Sequence, residues 1–170
     1  MDNIIDEASS IYARYGCHDI DHVARSLGVP VYDLLDSDNL RESYFPGLRA
    51  IAVSPDLLTY ERRHLVAHAL GHHLLHRKGP HADYLKLHLN HPEGPATTPD
   101  EPRAARTEAE AELFAAYLLI PDGKLRPLLD RGRVRNAADS PLRLALEFQV
   151  PLDLMRLRLL YDRRRHSHPQ

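Results

Sequence analysis

Two periods of apolar residues run along the chain, and the switches between them outline its elements. In "NIIDEASSIYARYG" the apolar residues fall at positions 4, 5, 8, 11, 12 and 15, the spacing of one helix face, and Gly16 follows as a stop. "DIDHVARSLG" predicts a second helix, capped by Asp19 and closed by Gly28. "VPVYDLL" and "GLRAIAVS" predict strands, the second with alternation and β-branched residues ahead of Ser54. "SPDLLTYERRHLVAHALGHHLLHRKG" predicts one long helix. Ser54 serves as its N-cap, Pro55 suits the first turn, Asp56 the positive end, and Arg77, Lys78 and Gly79 the other end.

From Gly79 to Pro102 the chain is rich in Pro, Gly, Asn and Thr, with "YLKLHL" at 84–89 as a short candidate strand. A connection this long within a small domain is usually either functional or mobile. "TEAEAELFAAYLLI" then predicts an amphipathic helix stopped by Pro121, and "SPLRLALEFQVPLDLMRLRLLY" predicts short helices. The last ten residues, basic and polar, are expected to fray. "VARSLGVP" (23–30) and "LALEFQVP" (144–151) echo one another, each a helix end followed by a turn. This is too common a pattern to argue for a helix-turn-helix, and the arginines at 156, 158, 163, 164 and 165 read more simply as a solvated helix face and tail.

Composition narrows the class. With 170 residues, 43% hydrophobic and 27% charged, the chain fits one soluble globular domain with a real core. The expected organisation is N-terminal helices and strands (1–56), metal-binding helices with their connecting loop (57–121), C-terminal helices (122–162) and a tail (163–170). A net charge of -2 gives no strong field for nucleic acid or membrane. No apolar run approaches the ~18 residues of a membrane span, and "MDNIIDEASS" lacks the basic start of a signal peptide. The lone Cys17 excludes an internal disulfide, reads as a buried thiol, and suits a cytoplasmic protein. Histidine is the exception: twelve are present, and five lie between 64 and 76.

His64, His68, His72 and His76 repeat every four residues, which places them one above another on a helix face. Two imidazoles so placed can bind one ion at about 2.0–2.1 Å and leave two tetrahedral positions open. His68 and His72 are the preferred pair, because Gly71 between them lets another element approach the helix at the metal. A histidine-rich helix can also be merely solvent-facing; the next helix tips the balance. There Glu108 and Glu112 share a face, and Glu110 points elsewhere. Glu108 would complete the His₂Glu set of a catalytic zinc (Zn2+), and Glu112 could accept a hydrogen bond from the outer nitrogen of a ligating histidine.

These segments resemble the ImmA/IrrE family of zinc metallopeptidases. The family's His-Glu-Leu-Gly-His followed by Leu-Leu-His corresponds here to His68, Ala69, Leu70, Gly71, His72, then Leu74, Leu75 and His76. Its second pattern, Glu-x-x-Ala-Asn-x-Phe-Ala-Ala-x-Leu-Leu-x-Pro, is matched by Glu108, Ala111, Phe114, Ala115, Ala116, Leu118, Leu119 and Pro121, with Glu112 in place of the asparagine. The likeness spans most of residues 1–160 and implies an α+β domain, mainly helical, with a small sheet beside a two-helix zinc site.

The departure is Ala69, which stands where the family carries its general-base glutamate. That glutamate takes a proton from the attacking water and delivers it to the leaving amine, a contribution of about 10²–10⁴ in rate, or about 3–5 kcal/mol. The expectation is a site that binds zinc and its protein partner but cleaves poorly, an inactivated variant of an active parent. The resemblance implies that parent's function: a cytoplasmic endopeptidase that cuts a helix-turn-helix repressor, with an extended substrate segment paired to the "GLRAIAVS" strand. A natural pseudo-protease that sequesters a repressor, or acts as antitoxin or sensor, is the alternative. A tyrosine or histidine in 81–91 is a candidate for stabilising the oxyanion.

Overall fold

The computed structural model describes residues 2–34, 41–76, 101–130 and 140–166. The elements run α1 (Asp2–Tyr15), α2 (Ile20–Ser26), β1 (Val31–Asp33), β2 (Glu42–Phe45), β3 (Ala50–Val53), α3 (Thr59–Leu75), α4 (Glu101–Leu119), α5 (Asp122–Asp130), α6 (Ser140–Phe148) and α7 (Leu152–His166). The fold is α+β, helices around one short sheet, as the sequence pattern predicts. The candidate strand at 84–89 lies outside the described residues.

α4 is the centre of the fold. Its run from Leu113 to Ile120 is buried throughout, because α1, α3 and α7 all pack on it. A helix enclosed on every side has no use for a polar face. Phe114, Leu118 and Ile120 are fully buried, and each contributes about 1.5–3 kcal/mol by leaving water. The helix begins at Glu101, earlier than the expected start at Thr107.

The sheet has the order β1–β3–β2, with β1 parallel and β2 antiparallel to β3. β2 escapes the sequence pattern: "ESYF" has a buried glutamate and serine where an alternating strand would carry apolar residues. Because β3 is flanked on both sides, its backbone groups are engaged, and a substrate segment cannot pair with "GLRAIAVS" as expected. Within the described residues the free edges belong to β1 and β2.

The histidine-rich helix also starts later than its composition suggests. Ser54 is still bonded to the sheet, its N–H donating to the Arg41 carbonyl at 2.9 Å, and its Oγ accepts from Asp56 N–H in a turn. α3 starts at Thr59, where Glu61 accepts from the Leu58 N–H at 3.1 Å and forms an ion pair with Arg41. The true cap is thus a carboxylate three residues inside the helix, the returning half of a capping box whose leading residue has no side-chain oxygen.

The repeated Ala…Val-Pro pattern has a local cause. Val29 N–H donates to Ala24 O at 2.9 Å and Val150 N–H to Ala145 O at 3.0 Å, while Gly28 (φ 73°) and Gln149 (φ 53°) take the left-handed conformation. Each segment is a helix C-terminus closed by a six-to-one bond with a buried valine beyond it. Arg158 departs from the solvated face expected of it. It is fully buried, its guanidinium lies 3.9 Å from the Tyr117 ring centre, and it donates to Ile120 O at 3.0 Å and pairs with Asp122. α7 continues through His166, so residues 161–166 are helical rather than frayed.

Candidate metal centre

α3 and α4 cross at Gly71. A Cβ there would meet Ala111 Cα at 2.9 Å, so the absence of a side chain is what lets the second helix come this close. At that spacing the side chains of His68, one turn before Gly71, and His72, directly after it, reach α4. Nε2 of His68 and Nε2 of His72 are 3.0 Å apart, and each lies 3.3 Å from a Glu108 carboxylate oxygen. His68 and His72 are buried, and Glu108 is partly exposed. His68, His72 and Glu108, singled out by spacing, are thus brought together.

Hydrogen bonds from neighbouring residues hold both imidazole rings. Glu112 accepts from His68 Nδ1 at 3.0 Å and from His64 Nε2 at 2.9 Å, the place the sequence assigned to it. On the other side His72 Nδ1 lies 3.2 Å from His76 Nδ1, and His76 Nε2 lies 3.1 Å from Glu110 Oε2. Glu110 therefore does reach the histidine helix, contrary to the expectation that it points elsewhere; Arg106 holds its other oxygen at 2.8 Å. One assignment of protons satisfies the whole chain: His76 donates to Glu110, and His72 donates from Nδ1 to His76. That leaves the Nε2 lone pair of His72 facing the centre, as a metal ligand requires.

The electrostatics agree. Burial disfavours charge on His68, but hydrogen bonds to Glu108 and Glu112, with the nearby Glu42 and Glu112 charges, outweigh it and raise its pKa to about 10. Burial lowers that of His72, which stays neutral. Burial also opposes ionisation of both glutamates, yet their histidine partners win. Glu108 is held well below the usual carboxylate range and Glu112 is lowered to about 2. Two charged carboxylates thus enclose one imidazolium in the space between the helices, an arrangement in which a divalent cation can replace the proton.

Whether that space fits a metal can be tested from its dimensions. Four ligands bound at 2.0–2.1 Å to a tetrahedral zinc stand about 3.3–3.4 Å from one another. The observed separations of 3.0, 3.3 and 3.3 Å among His68, His72 and Glu108 are close to that edge. The other cluster able to hold a metal, His64, His68 and Glu112, has separations of 2.9 and 3.0 Å. The 3.3 Å pairs of the first group lie nearer the tetrahedral edge, and Glu112 of the second bonds the outer nitrogen of His68.

The family model described as the IrrE N-terminal-like domain of peptidase M78 matches residues 24–160. The chain belongs to this family. A comparison with curated proteins finds no match. Membership of a metallopeptidase family agrees with the metal-compatible His/Glu group, and no described helix is long and apolar enough to cross a membrane.

Ala69 is fully buried in the helix directly after His68. The sequence reading missed a buried carboxylate near this centre, Glu42 on β2, which is 3% exposed. Nothing in the linear pattern marks it, since a lone glutamate ahead of "SYF" looks like any surface residue. The oxyanion candidates in 81–91 lie outside the described residues.

Proposed function

We propose that the chain is a zinc-dependent endopeptidase of the ImmA/IrrE type whose substrate is a helix-turn-helix transcriptional repressor, and that Ala69 leaves it impaired in turnover. The observation that carries this reading is the convergence of His68 Nε2, His72 Nε2 and a Glu108 carboxylate at separations near the edge of a zinc tetrahedron. When bound, zinc would polarise an incoming water and the scissile carbonyl. Of the chain's own groups, Glu112 fixes the ring of His68 and His76 fixes that of His72. An extended substrate segment is best matched to the outer edge of β2, since β3 has no free edge. The α3 helix carries no carboxylate next to His68, and the loss of such a base is worth about 10²–10⁴ in rate.

The test combines metal analysis with cleavage. The purified protein should carry about one zinc per chain, and slow, site-specific cleavage of a helix-turn-helix repressor should disappear when the zinc is stripped. Tight repressor binding with no zinc-dependent cleavage would instead mark a non-catalytic sequestering module. Absence of zinc under metal-replete conditions would overturn both.

A further inference from the structure

β2 is antiparallel to β3 and packs on α3. Along a strand, residues two apart share a face, so Glu42 and Tyr44 point the same way. Tyr44 is fixed: its hydroxyl is 2.6 Å from His73 Nδ1, with the two rings edge to face at 5.6 Å. That face is therefore turned to α3. On α3, Ala69 and His73 share a face one turn apart, about 6 Å along the axis. On β2, Glu42 and Tyr44 are about 6.7 Å apart along the strand. The two steps match, which brings Glu42 to Ala69 if strand and helix run the same way. The direction is given by two contacts: Arg41, the residue before Glu42, pairs with Glu61 in the first turn of α3, and Tyr44 reaches His73 farther along the same helix, so strand and helix run the same way.

We propose that Glu42 supplies from strand β2 the carboxylate that position 69 lacks on the helix, and that the hydrolysis this chain performs runs through it. This rests on the reading of His68, His72 and Glu108 as a zinc site. In the step, the Glu42 carboxylate accepts a proton from water as the water oxygen bonds to the scissile carbonyl carbon. The same proton then passes to the amide nitrogen as the C–N bond breaks, releasing an amine and a carboxylic acid that gives its remaining water proton to solvent, with no redox change. The small side chain of Ala69 leaves Glu42 its place, because a glutamate there would compete with it for one buried position.

Four proteins test this: the native chain, E42Q, A69E and E42Q/A69E. Denaturant unfolding of the zinc-free forms reads the juxtaposition without any activity. A69E should lose stability, since it sets a second buried carboxylate against Glu42, and E42Q should remove most of that loss. An equal effect of A69E in both backgrounds would overturn the placement, as would loss of folding in both A69E and E42Q/A69E. Acetohydroxamate, which gives up a proton as it binds a metal, reads the base in the zinc-loaded forms. E42Q should bind it about ten- to a hundredfold more weakly, the worth of one hydrogen bond to a charged group, and E42Q/A69E should regain the affinity at equal zinc content. Equal hydroxamate affinity in the native chain and E42Q would overturn the proposal. Should no form take up zinc, the zinc reading fails, while the unfolding cycle still reports whether Glu42 faces position 69. On a repressor that the native chain cleaves, E42Q should be slower by about 10²–10⁴, and cleavage by E42Q at the native rate would overturn the assignment.

Discussion

A Cβ placed on Gly71 of α3 would lie 2.9 Å from Cα of Ala111 on α4 and 3.0 Å from its carbonyl oxygen. In an isolated helix Gly71→Ala would gain about 1 kcal/mol. Here the obstructing atoms are backbone and cannot swing aside, so overpacking at about 1–3 kcal/mol should exceed that gain. The expected outcome is a net loss of stability together with weaker zinc binding, because the helix separation sets the distance from Glu108 to His68 and His72. Denaturant unfolding and a zinc competition titration measure both. Unchanged zinc affinity would show that the close approach does not govern the centre.

Substitution of the proposed ligands should separate them from their neighbours. His68→Ala, His72→Ala and Glu108→Ala are expected to lose most bound zinc, whereas Glu110→Ala keeps it stoichiometrically. The contrast between Glu108 and Glu110 is the sharp one, since both lie on α4 and each contacts a histidine of the 64–76 ladder. Equal zinc retention by the two variants, read by elemental analysis after dialysis, would sink the ligand assignment.

The histidines outside the ligand pair should matter less, yet measurably. His76 accepts from His72 and Glu112 from His68, and removing such an orienting partner typically costs 10–100-fold in metal affinity. His76→Ala and Glu112→Ala should fall about in that range, with one zinc still bound at saturation. An effect as large as that of His72→Ala would move His76 into the ligand set.

How far this site was legible follows from what each residue needed. The four-residue histidine spacing, Gly71 and the Glu108/Glu112 face are all local to one helix, so periodicity alone could find them. The choice of rung on the ladder came from Gly71, a packing clue that the linear pattern preserves. The bond from His76 to Glu110 was missed because a face argument on an ideal isolated helix ignores the reach of a long side chain from a close neighbour. Glu42 was out of reach for another reason. Its role depends on which strand pairs with which, and β2 has no apolar alternation to announce it. Arg158 failed similarly: its charge marks it as a surface residue, while its stacking on Tyr117 depends on the packing of α7 against α4.

That stacking is itself testable. Arg158→Ala removes a fully buried side chain, its bond to the Ile120 carbonyl and its ion pair with Asp122. A loss on the order of 2–4 kcal/mol is expected from the cavity and the unsatisfied acceptor. Arg158→Lys should recover little, since a point charge cannot stack and bond as a planar guanidinium does. A change under about 0.5 kcal/mol, the usual size for a surface position, would restore the solvated reading.

The proton held between the helices gives the last prediction. The pKa of His68 is raised from 6.5 to about 10, so its stabilising contribution is complete below pH 6.5 and lost as pH rises through about 10. Those of Glu108 and Glu112 are lowered from 4.5, so their contribution is present above pH 4.5 and lost as pH falls toward about 2. That of Glu42 is raised from 4.5 to about 7, which adds a decline that begins near pH 4.5 and is complete just above 7. The zinc-free protein should therefore be most stable near pH 4.5 and weaken on both sides, more steeply above pH 6.5. Zinc can bind His68 only in its neutral form, so uptake at pH 8 should expel about one proton per metal from this residue. Calorimetric titrations in two buffers of different ionisation enthalpy measure that number directly. Zinc binding with no buffer dependence would mean that the imidazolium is absent and that the carboxylates hold His68 by hydrogen bonds alone.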